Sequence, residues 1–562
     1  MERTRPHPLK RFVHSPPGRF VVRHGVVLQA VAVVGVALVV RWLGLGQEPL
    51  HDELYNFLAA RSWAEQGQLT ILPGAEPYDR AGLFSYTVGL LLRVFGASLE
   101  VARLPALLSG ALLAGLVTWW LGRSGLHVAG LVAGLCVAFD PELVQHSQIT
   151  RFYAPHNLLF LAGALGLASA LEQQDRSRRR IAVGLAAVVA MGLAFHLQII
   201  TLIGLTGVGV YALIWPGSAI YQWIKRQVTE RRLVFLGGAV FAAATVLIAL
   251  LATGLGEWLA ARATAVDLWA LAVRDNPRFY YAWLHSYWAP FVVLFPILAL
   301  LSWLRAPRIT ALCLAVFGVA FIVHSLVPWK ANRYLSYALP FFFVIGAVGT
   351  VEGLHRLWGA FLPLVGEGVR QPKIRETVRL LVLALLVGSL AVGSRAFLST
   401  AQLVQRNPEL HFPLIGPRDG PISWSRALPS LTPYTEDAAV VISSSPLKTI
   451  FFLNRLDFQL SRTSLYDPAG YWRDEFWIDP RFGVPTIVSP EALARIRCER
   501  GEALVLSETI QFQNPRSVQP ETAQFLRDHG DRIALPSEAG VEAFLLPRVP
   551  AEHCSDHPSA SP

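Results

Sequence analysis

The feature that most constrains this chain is a series of apolar runs, each close to the ~20 residues a helix needs to cross a bilayer. They fall at 26–44, 101–121, 125–139, 155–171, 181–197, 198–214, 233–252, 289–303, 309–324, 336–351 and 380–396. Residues 181–214 are nearly continuously apolar. As one helix they would be about 51 Å long at 1.5 Å per residue, against a hydrocarbon core of about 30 Å. Two crossings with a tight turn near 196–198 fit better, because they put the basic clusters 178–180 and 225–232 on the same side. Composition agrees with many spans. Of the 562 residues, 53% are hydrophobic and 16% charged, where a soluble domain carries about 25% charged residues. A large soluble enzyme, a disordered chain and a disulfide-rich secreted scaffold are excluded. The expected fold class is a polytopic α-helical membrane protein of about eleven transmembrane helices.

The run 26–44 is not closed by a small-residue cleavage pattern, so it reads as a retained first helix rather than a signal peptide. Lys and Arg concentrate in alternate loops, and the positive-inside rule then puts the N-terminus in the cytoplasm. An odd span count places residues 397–562 outside. The expected organisation is a basic cytoplasmic N-terminus at 1–25, a membrane domain at 26–396 with long outer loops at 45–100 and 253–288, and an extracytoplasmic domain at 397–562. The net charge of +10 is distributed among loops rather than gathered on one face, which argues against nucleic acid as a partner.

The first long loop holds two helical stretches, 53–65 and 82–95. In the first, Leu54, Phe57, Leu58 and Arg61 share a face, which predicts a helix lying in the membrane surface. The loop 253–288 is rich in Trp and Tyr, as in an interfacial aromatic belt or a groove for a lipid substrate. The tail alternates strand and helix patterns: strands at 439–443, 503–507 and 541–546, helices at 447–454 and 520–529. This predicts a small α/β domain. Cys136 and Cys313 sit in apolar runs as small core residues. Cys498 and Cys554 lie in the tail, where a disulfide can form if that region is outside the cytoplasm.

The chemistry-bearing residues gather at the outer ends of spans. Asp52 and Glu53 follow the first span; Asp52 suits either a helix N-cap or a reactive carboxylate. Asp79 and Arg80 precede the second loop helix. Asp140, Glu142, His146, Arg151 and His156 follow the third span. Lys330, Arg333 and Tyr334 precede the tenth, where two cations run against the positive-inside bias. They suit a phosphate-bearing head group or interfacial snorkelling.

Four motifs resemble the GT-C membrane glycosyltransferases, in the clan of protein O-mannosyltransferases and the aminoarabinose lipid A transferase, closest to the bacterial dolichyl-phosphate-mannose-protein mannosyltransferase-like branch. Asp52-Glu53 fall where the clan has an acidic pair in its first outer loop. Asp79-Arg80-Ala81-Gly82-Leu83 fall where many members have Lys-Pro-Pro-Leu. Ala102-Arg103-Leu104-Pro105 resembles the family's ARLPS at the head of the second span. Arg333-Tyr334 resembles its Arg-Tyr before a late span. The likeness covers 26–350 well and the tail in architecture only. Arg80 stands in place of the usual Lys. No clear second acidic motif follows span three, where Asp140 and Glu142 are the nearest candidates.

The resemblance implies a GT-C fold and inverting transfer of a sugar from a polyprenyl-phosphate donor to a hydroxyl on a lipid, glycan or protein acceptor, at the outer face of the inner membrane. Asp52, with Glu53 beside it, is the implied base. Arg80, Arg151, Lys330, Arg333 and Tyr334 are the implied partners of the donor phosphate. No cofactor is required with certainty, and a divalent metal stays open. The rival classes are a transporter or flippase for a lipid-linked glycan and a non-catalytic envelope assembly protein. Transporters favour midplane charges and paired halves, whereas these charges cluster at one face.

Overall fold

The structure is a computed structural model. It describes residues 16–172, 178–222, 225, 276–327, 330–361, 388, 393–404, 422–466, 469–473, 475–550 and 554. The expected span at 233–252, most of that at 380–396 and the first part of the loop 253–288 lie outside the described residues. The chain divides into two compact units. One comprises residues 1–45, 103–240 and 273–407; the other comprises 46–102, 241–272 and 408–562.

The first unit is helical and apolar. Six helices among the described residues are long and apolar enough to cross a membrane: His24–Leu43, Leu99–Arg123, Tyr153–Leu171, Arg178–Leu197, Pro307–Leu326 and Ser336–Ala360. Two bent pairs raise the number to eight if each is one span. His127–Phe139 and Pro141–Ser147 meet at 61°, and Phe279–Val293 and Phe295–Arg305 meet at 54°. The chain is a multi-pass membrane protein. The run 181–214 is broken where expected, between Leu197 and Thr201.

One expected boundary moves. The span expected at 289–303 begins at Phe279, and its helix kinks at Trp288 (φ −124°, ψ 37°) just before Pro290. Pro cannot donate its turn of the ladder and clashes with the preceding turn, so a kink here has a covalent cause. Phe279, Tyr280, Trp283 and Trp288 are therefore buried in the helical core, not arrayed in a loop. Small residues let the helices approach without a hydrophobic driving force in lipid. A Cβ on Gly349 would lie 2.2 Å from the Leu298 carbonyl oxygen, so only glycine fits there.

Arg41, at the end of the first span, is fully buried. Its guanidinium donates to the carbonyls of Val137 (3.3 Å) and Ala138 (3.0 Å) and to Ser147 Oγ (3.1 Å). It thus caps the last turn of His127–Phe139, where carbonyls lack helical partners and the dipole favours a cation.

The second unit is built on an eight-stranded sheet in the order β3-β4-β5-β2-β1-β6-β8-β7. The strands are β1 Val440–Ser443, β2 Phe458–Leu460, β3 Tyr471–Arg473, β4 Phe476–Ile478, β5 Pro485–Ile487, β6 Ala503–Glu508, β7 Asp531–Arg532 and β8 Val541–Leu546. The four central strands β5-β2-β1-β6 are parallel and the flanks antiparallel. The fully buried pattern of β1 (Val440–Ser443) is what a central parallel strand requires. Helices at Pro446–Leu453 and Pro520–His529 match the expected ones. Cys498 and Cys554 form a disulfide, with Cα atoms 5.8 Å apart.

Residues of the first long loop belong to this unit. The first loop helix runs from His51 to Gln66. Its apolar face does not lie on lipid as expected. Leu54, Phe57 and Leu58 are buried, and Phe57 meets Phe451 edge-on at 5.3 Å. Arg61 donates to Asn454 Oδ1 at 2.9 Å. An amphipathic stripe is satisfied equally by lipid or by protein, and here the helix Pro446–Leu453 supplies the protein.

Candidate active site

The candidate residues fall into the two units. Asp52, Glu53 and Arg80 belong to the second; Asp140, Glu142, Arg151, Lys330, Arg333 and Tyr334 belong to the first.

In the second unit, the acidic pair is divided in role. The helix starts at His51, so Asp52 is in its first turn rather than at its cap. The capping is done by Glu53. Its Oε1 accepts the Leu50 amide at 2.8 Å, and its side chain is fully buried. This is the reciprocal half of a capping box. Asp52 is partly exposed on the same turn. Tyr55, one turn on, stacks on Tyr78 at 5.6 Å, and desolvation raises its phenol to about 12 despite the opposing charge of Arg481. Arg481 forms a forked pair with the buried Asp479 (Nε–Oδ1 2.8 Å, Nη2–Oδ2 2.5 Å) and reaches the Tyr55 oxygen at 3.5 Å. Arg80 is exposed. It is followed by Ala81, whose φ of 55° is left-handed, and the helix Gly82–Phe95 begins directly after. That turn fixes the direction in which the chain presents Arg80.

In the first unit, Asp140 sits at the bend between His127–Phe139 and Pro141–Ser147. Its Oδ1 accepts the Leu143 amide at 3.0 Å and caps the second helix; its Oδ2 accepts the Trp288 indole N–H at 2.8 Å. Glu142 pairs with His146 at 3.1 Å. Arg151 is buried, its guanidinium 5.0 Å from the Phe152 ring and 5.7 Å from that of Tyr153. Lys330 donates to the carbonyls of His324 (2.9 Å), Ser325 (2.7 Å) and Val327, at the end of the helix Pro307–Leu326. An ammonium has three donors, and here each has a carbonyl. Arg333 packs over the adjacent Tyr334 ring at 5.6 Å, and Tyr334 stacks on His324 at 6.3 Å. Tyr280 donates its hydroxyl to the Ala331 carbonyl at 3.0 Å, and the Lys330 ammonium lies 6.0 Å from its ring.

The same segments hold a concentration of buried polar atoms. Gln145 Nε2, His146 Nδ1, Asn157 Nδ2, Gln198 Nε2, Trp283 Nε1 and Asn332 Oδ1 have no hydrogen-bond partner among the described residues. Native interiors leave few such groups, and each calls for a water, an ion or a ligand. Among the described residues, no group of three or more His, Cys, Asp or Glu is placed to hold a metal ion.

Sequence reasoning passed over Arg41 and Arg481 and took Trp288 only as one of the aromatics of the loop 253–288. Arg41 and Trp288 are cap and brace for the bend at Asp140. Arg481 reaches the Tyr55 oxygen from the sheet, and no local pattern in the sequence joins the two.

The chain shares its fold with solved structures of ArnT and of the oligosaccharyltransferase AglB. The chain is similar to ArnT from Cupriavidus metallidurans in the apo state, at 15% identity and a TM-score of 0.54, over 93% of this chain and 98% of that one. A second ArnT structure from the same organism, bound to undecaprenyl phosphate, aligns at 16% identity and 0.54 over 92% and 98%. The archaeal oligosaccharyltransferase AglB from Archaeoglobus fulgidus, in complex with an inhibitory peptide and a dolichol-phosphate, aligns at 14% identity and 0.55 over 91% of this chain and 73% of that one. No protein-family model and no curated protein sequence matches the chain.

Proposed function

We propose that this chain is an inverting glycosyltransferase that moves a sugar from a polyprenyl-phosphate donor to a hydroxyl acceptor at the outer face of the inner membrane. The observation that carries the reading is the GT-C fold along more than nine-tenths of the chain, with a carboxylate, Asp52, on the first turn of the helix that follows the first span. The two lipid-bound neighbours hold undecaprenyl phosphate and dolichol-phosphate, which supports a polyprenyl phosphate as the donor class here.

Asp52 takes the proton of the acceptor hydroxyl as it attacks the anomeric carbon, and Glu53 holds the backbone that aims it. As the glycosidic bond breaks, negative charge grows on the departing phosphate, and fixed cations stabilise that charge more than they stabilise the intact donor. The candidates of this chain for that role are Arg80 in the second unit and Arg151 and Arg333 in the first. Lys330, engaged with three carbonyls, contributes charge and holds the segment that carries Arg333. The buried polar atoms of Gln145, Asn157, Gln198 and Asn332, without hydrogen-bond partners among the described residues, support a polar ligand within this unit. The N-terminus is inside and residues 397–562 are outside in this reading, with the loop 45–100 on the same outer side.

Purified protein incubated with radiolabelled polyprenyl-phosphate sugars and a membrane extract tests the proposal. Label should pass to an acceptor in the wild type and not in Asp52→Asn. Passage of labelled donor across the bilayer of proteoliposomes without covalent transfer would overturn it in favour of a transporter.

A further inference from the structure

The helix His51–Gln66 opens at one place in its first turns. From His51 to Ala60, only His51, Asp52 and Tyr55 are not buried. Asp52 and Tyr55 are three residues apart and share a face. Helical side chains lean toward the N-terminus, so the Tyr55 ring lies over the turn that carries Asp52. The His51 ring meets it edge-on at 5.9 Å.

Tyr55 is held from the sheet side of the same unit. Its ring stacks with Tyr78 at 5.6 Å and with Phe482 at 6.4 Å. Its oxygen accepts from Arg481 Nη1 at 3.5 Å. Arg481 is itself fixed. The fully buried Asp479 takes its guanidinium on both carboxylate oxygens, at 2.8 and 2.5 Å, and its amide on Oδ1 at 3.0 Å. The turn that carries the pair is docked in its turn. The Glu76 amide donates to the Pro480 carbonyl at 2.8 Å. Gly483 has a φ of 69°, and a Cβ there would lie 2.9 Å from the Gly74 carbonyl oxygen.

A guanidinium has donors and no acceptor, so the Tyr55 oxygen accepts from Arg481 and keeps its own proton to give. Among the described residues, no protein group takes that proton. Desolvation raises the phenol to about 12, which keeps the proton on the oxygen at neutral pH. The open facet thus carries a phenol with a proton to donate and, one turn before it, a carboxylate that only accepts.

We propose that Tyr55 binds the acceptor: its hydroxyl donates to the oxygen whose proton Asp52 removes, and Arg481, clasped by Asp479, is the residue that positions it. The proposal rests on the glycosyltransferase reading and names the group that its site selects. A hydroxyl satisfies both side chains, because it gives a proton to Asp52 and accepts one hydrogen bond from Tyr55. A protonated amine has no lone pair and cannot accept from Tyr55. With its carbon, its proton and one lone pair held, the acceptor oxygen has a single lone pair left to meet the anomeric carbon, which is an orientation effect. Only the proton taken by Asp52 moves; Tyr55 keeps its own.

Tyr55→Phe retains the ring and its stacks and removes the hydroxyl alone. Full-length protein in detergent is given a saturating radiolabelled polyprenyl-phosphate sugar, and transfer is followed across a dilution series of membrane extract. The amount of extract that gives half the maximal rate should rise about 3–10-fold, the worth of one neutral hydrogen bond. The half-saturating donor concentration and the melting temperature should not move. Arg481→Lys leaves a charge for Asp479 without the planar fork. It should shift the same quantity in the same direction, and should add nothing to it in a Tyr55→Phe background, as expected of residues that act through one another. A clasp that serves the fold alone would lower the melting temperature and leave the dependence on extract unchanged. Wild-type dependence on extract in Tyr55→Phe, or additive shifts in the double variant, overturns the proposal while the glycosyltransferase reading stands. No transfer by the wild type overturns that reading and the proposal with it.

Discussion

The indole N–H of Trp288 donates to Asp140 Oδ2 across 2.8 Å, joining one kinked helix to the bend of another. Asp140 Oδ1 meanwhile holds the Leu143 amide, so both oxygens of this buried carboxylate are committed to structure. Asp140→Ala should cost about 2–4 kcal/mol, the sum of a lost cap and a stranded indole donor. Asp140→Asn, which keeps one acceptor for the cap, should cost less. Thermal unfolding in detergent measures both. A neutral Asp140→Ala would remove the brace assigned to it.

The acidic pair separates by variant. Glu53→Ala should lower stability by about 1 kcal/mol, because the Leu50 amide loses its acceptor, while Glu53→Gln retains most of it. Asp52→Asn should leave stability unchanged and reduce turnover at least ~100-fold, the lower end of general-base catalysis. Transfer rates at matched expression and donor binding decide between them. Near-normal turnover in Asp52→Asn removes the base from the mechanism.

The two cations of the segment 330–334 should behave differently. Lys330→Ala strands three carbonyls at a helix end and should show chiefly as a stability loss of about 1–3 kcal/mol. Arg333→Ala should weaken donor use with little loss of stability, and Arg333→Lys should restore part of it, since charge returns without the planar fork. Donor saturation curves and melting temperatures, taken together on the three variants, check this split.

The disulfide gives a thiol count. Cys136 and Cys313 are buried and reduced, while Cys498 and Cys554 are joined. Denatured protein should take up two alkyl groups without reductant and four with it. Closing a loop of 56 residues stabilises by about 4 kcal/mol in the chain-entropy account. Cys498→Ser should therefore open the sheet domain to protease at lower denaturant than the wild type.

Much of this fold is written in local pattern. The helix break after Leu197 follows from length against bilayer thickness, and β1, β6 and β8 follow from short runs of branched residues between turns. What escaped the sequence depends on who meets whom. Asp52 is a good cap by residue type, but the helix begins at His51 and the cap amide falls to Glu53. The Leu54–Phe57–Leu58 stripe has the period of a surface helix, and nothing in the period distinguishes lipid from Phe451. The strands of three residues, β2, β3, β4 and β5, carry too few positions for alternation to show. Arg481 is separated from Tyr55 by 426 residues, and only the tertiary fold brings the two within 3.5 Å.

Arg41 ties the first span to a helix that is synthesised almost a hundred residues later. Until Val137 and Ala138 emerge, its guanidinium has within its own helix only the Ala37 carbonyl, at 3.3 Å, and must snorkel to the head groups. The first helix therefore enters the bilayer as an unfinished piece. Its seat is completed when the hairpin of Leu99–Arg123 and His127–Phe139 arrives, so biogenesis has a built-in order.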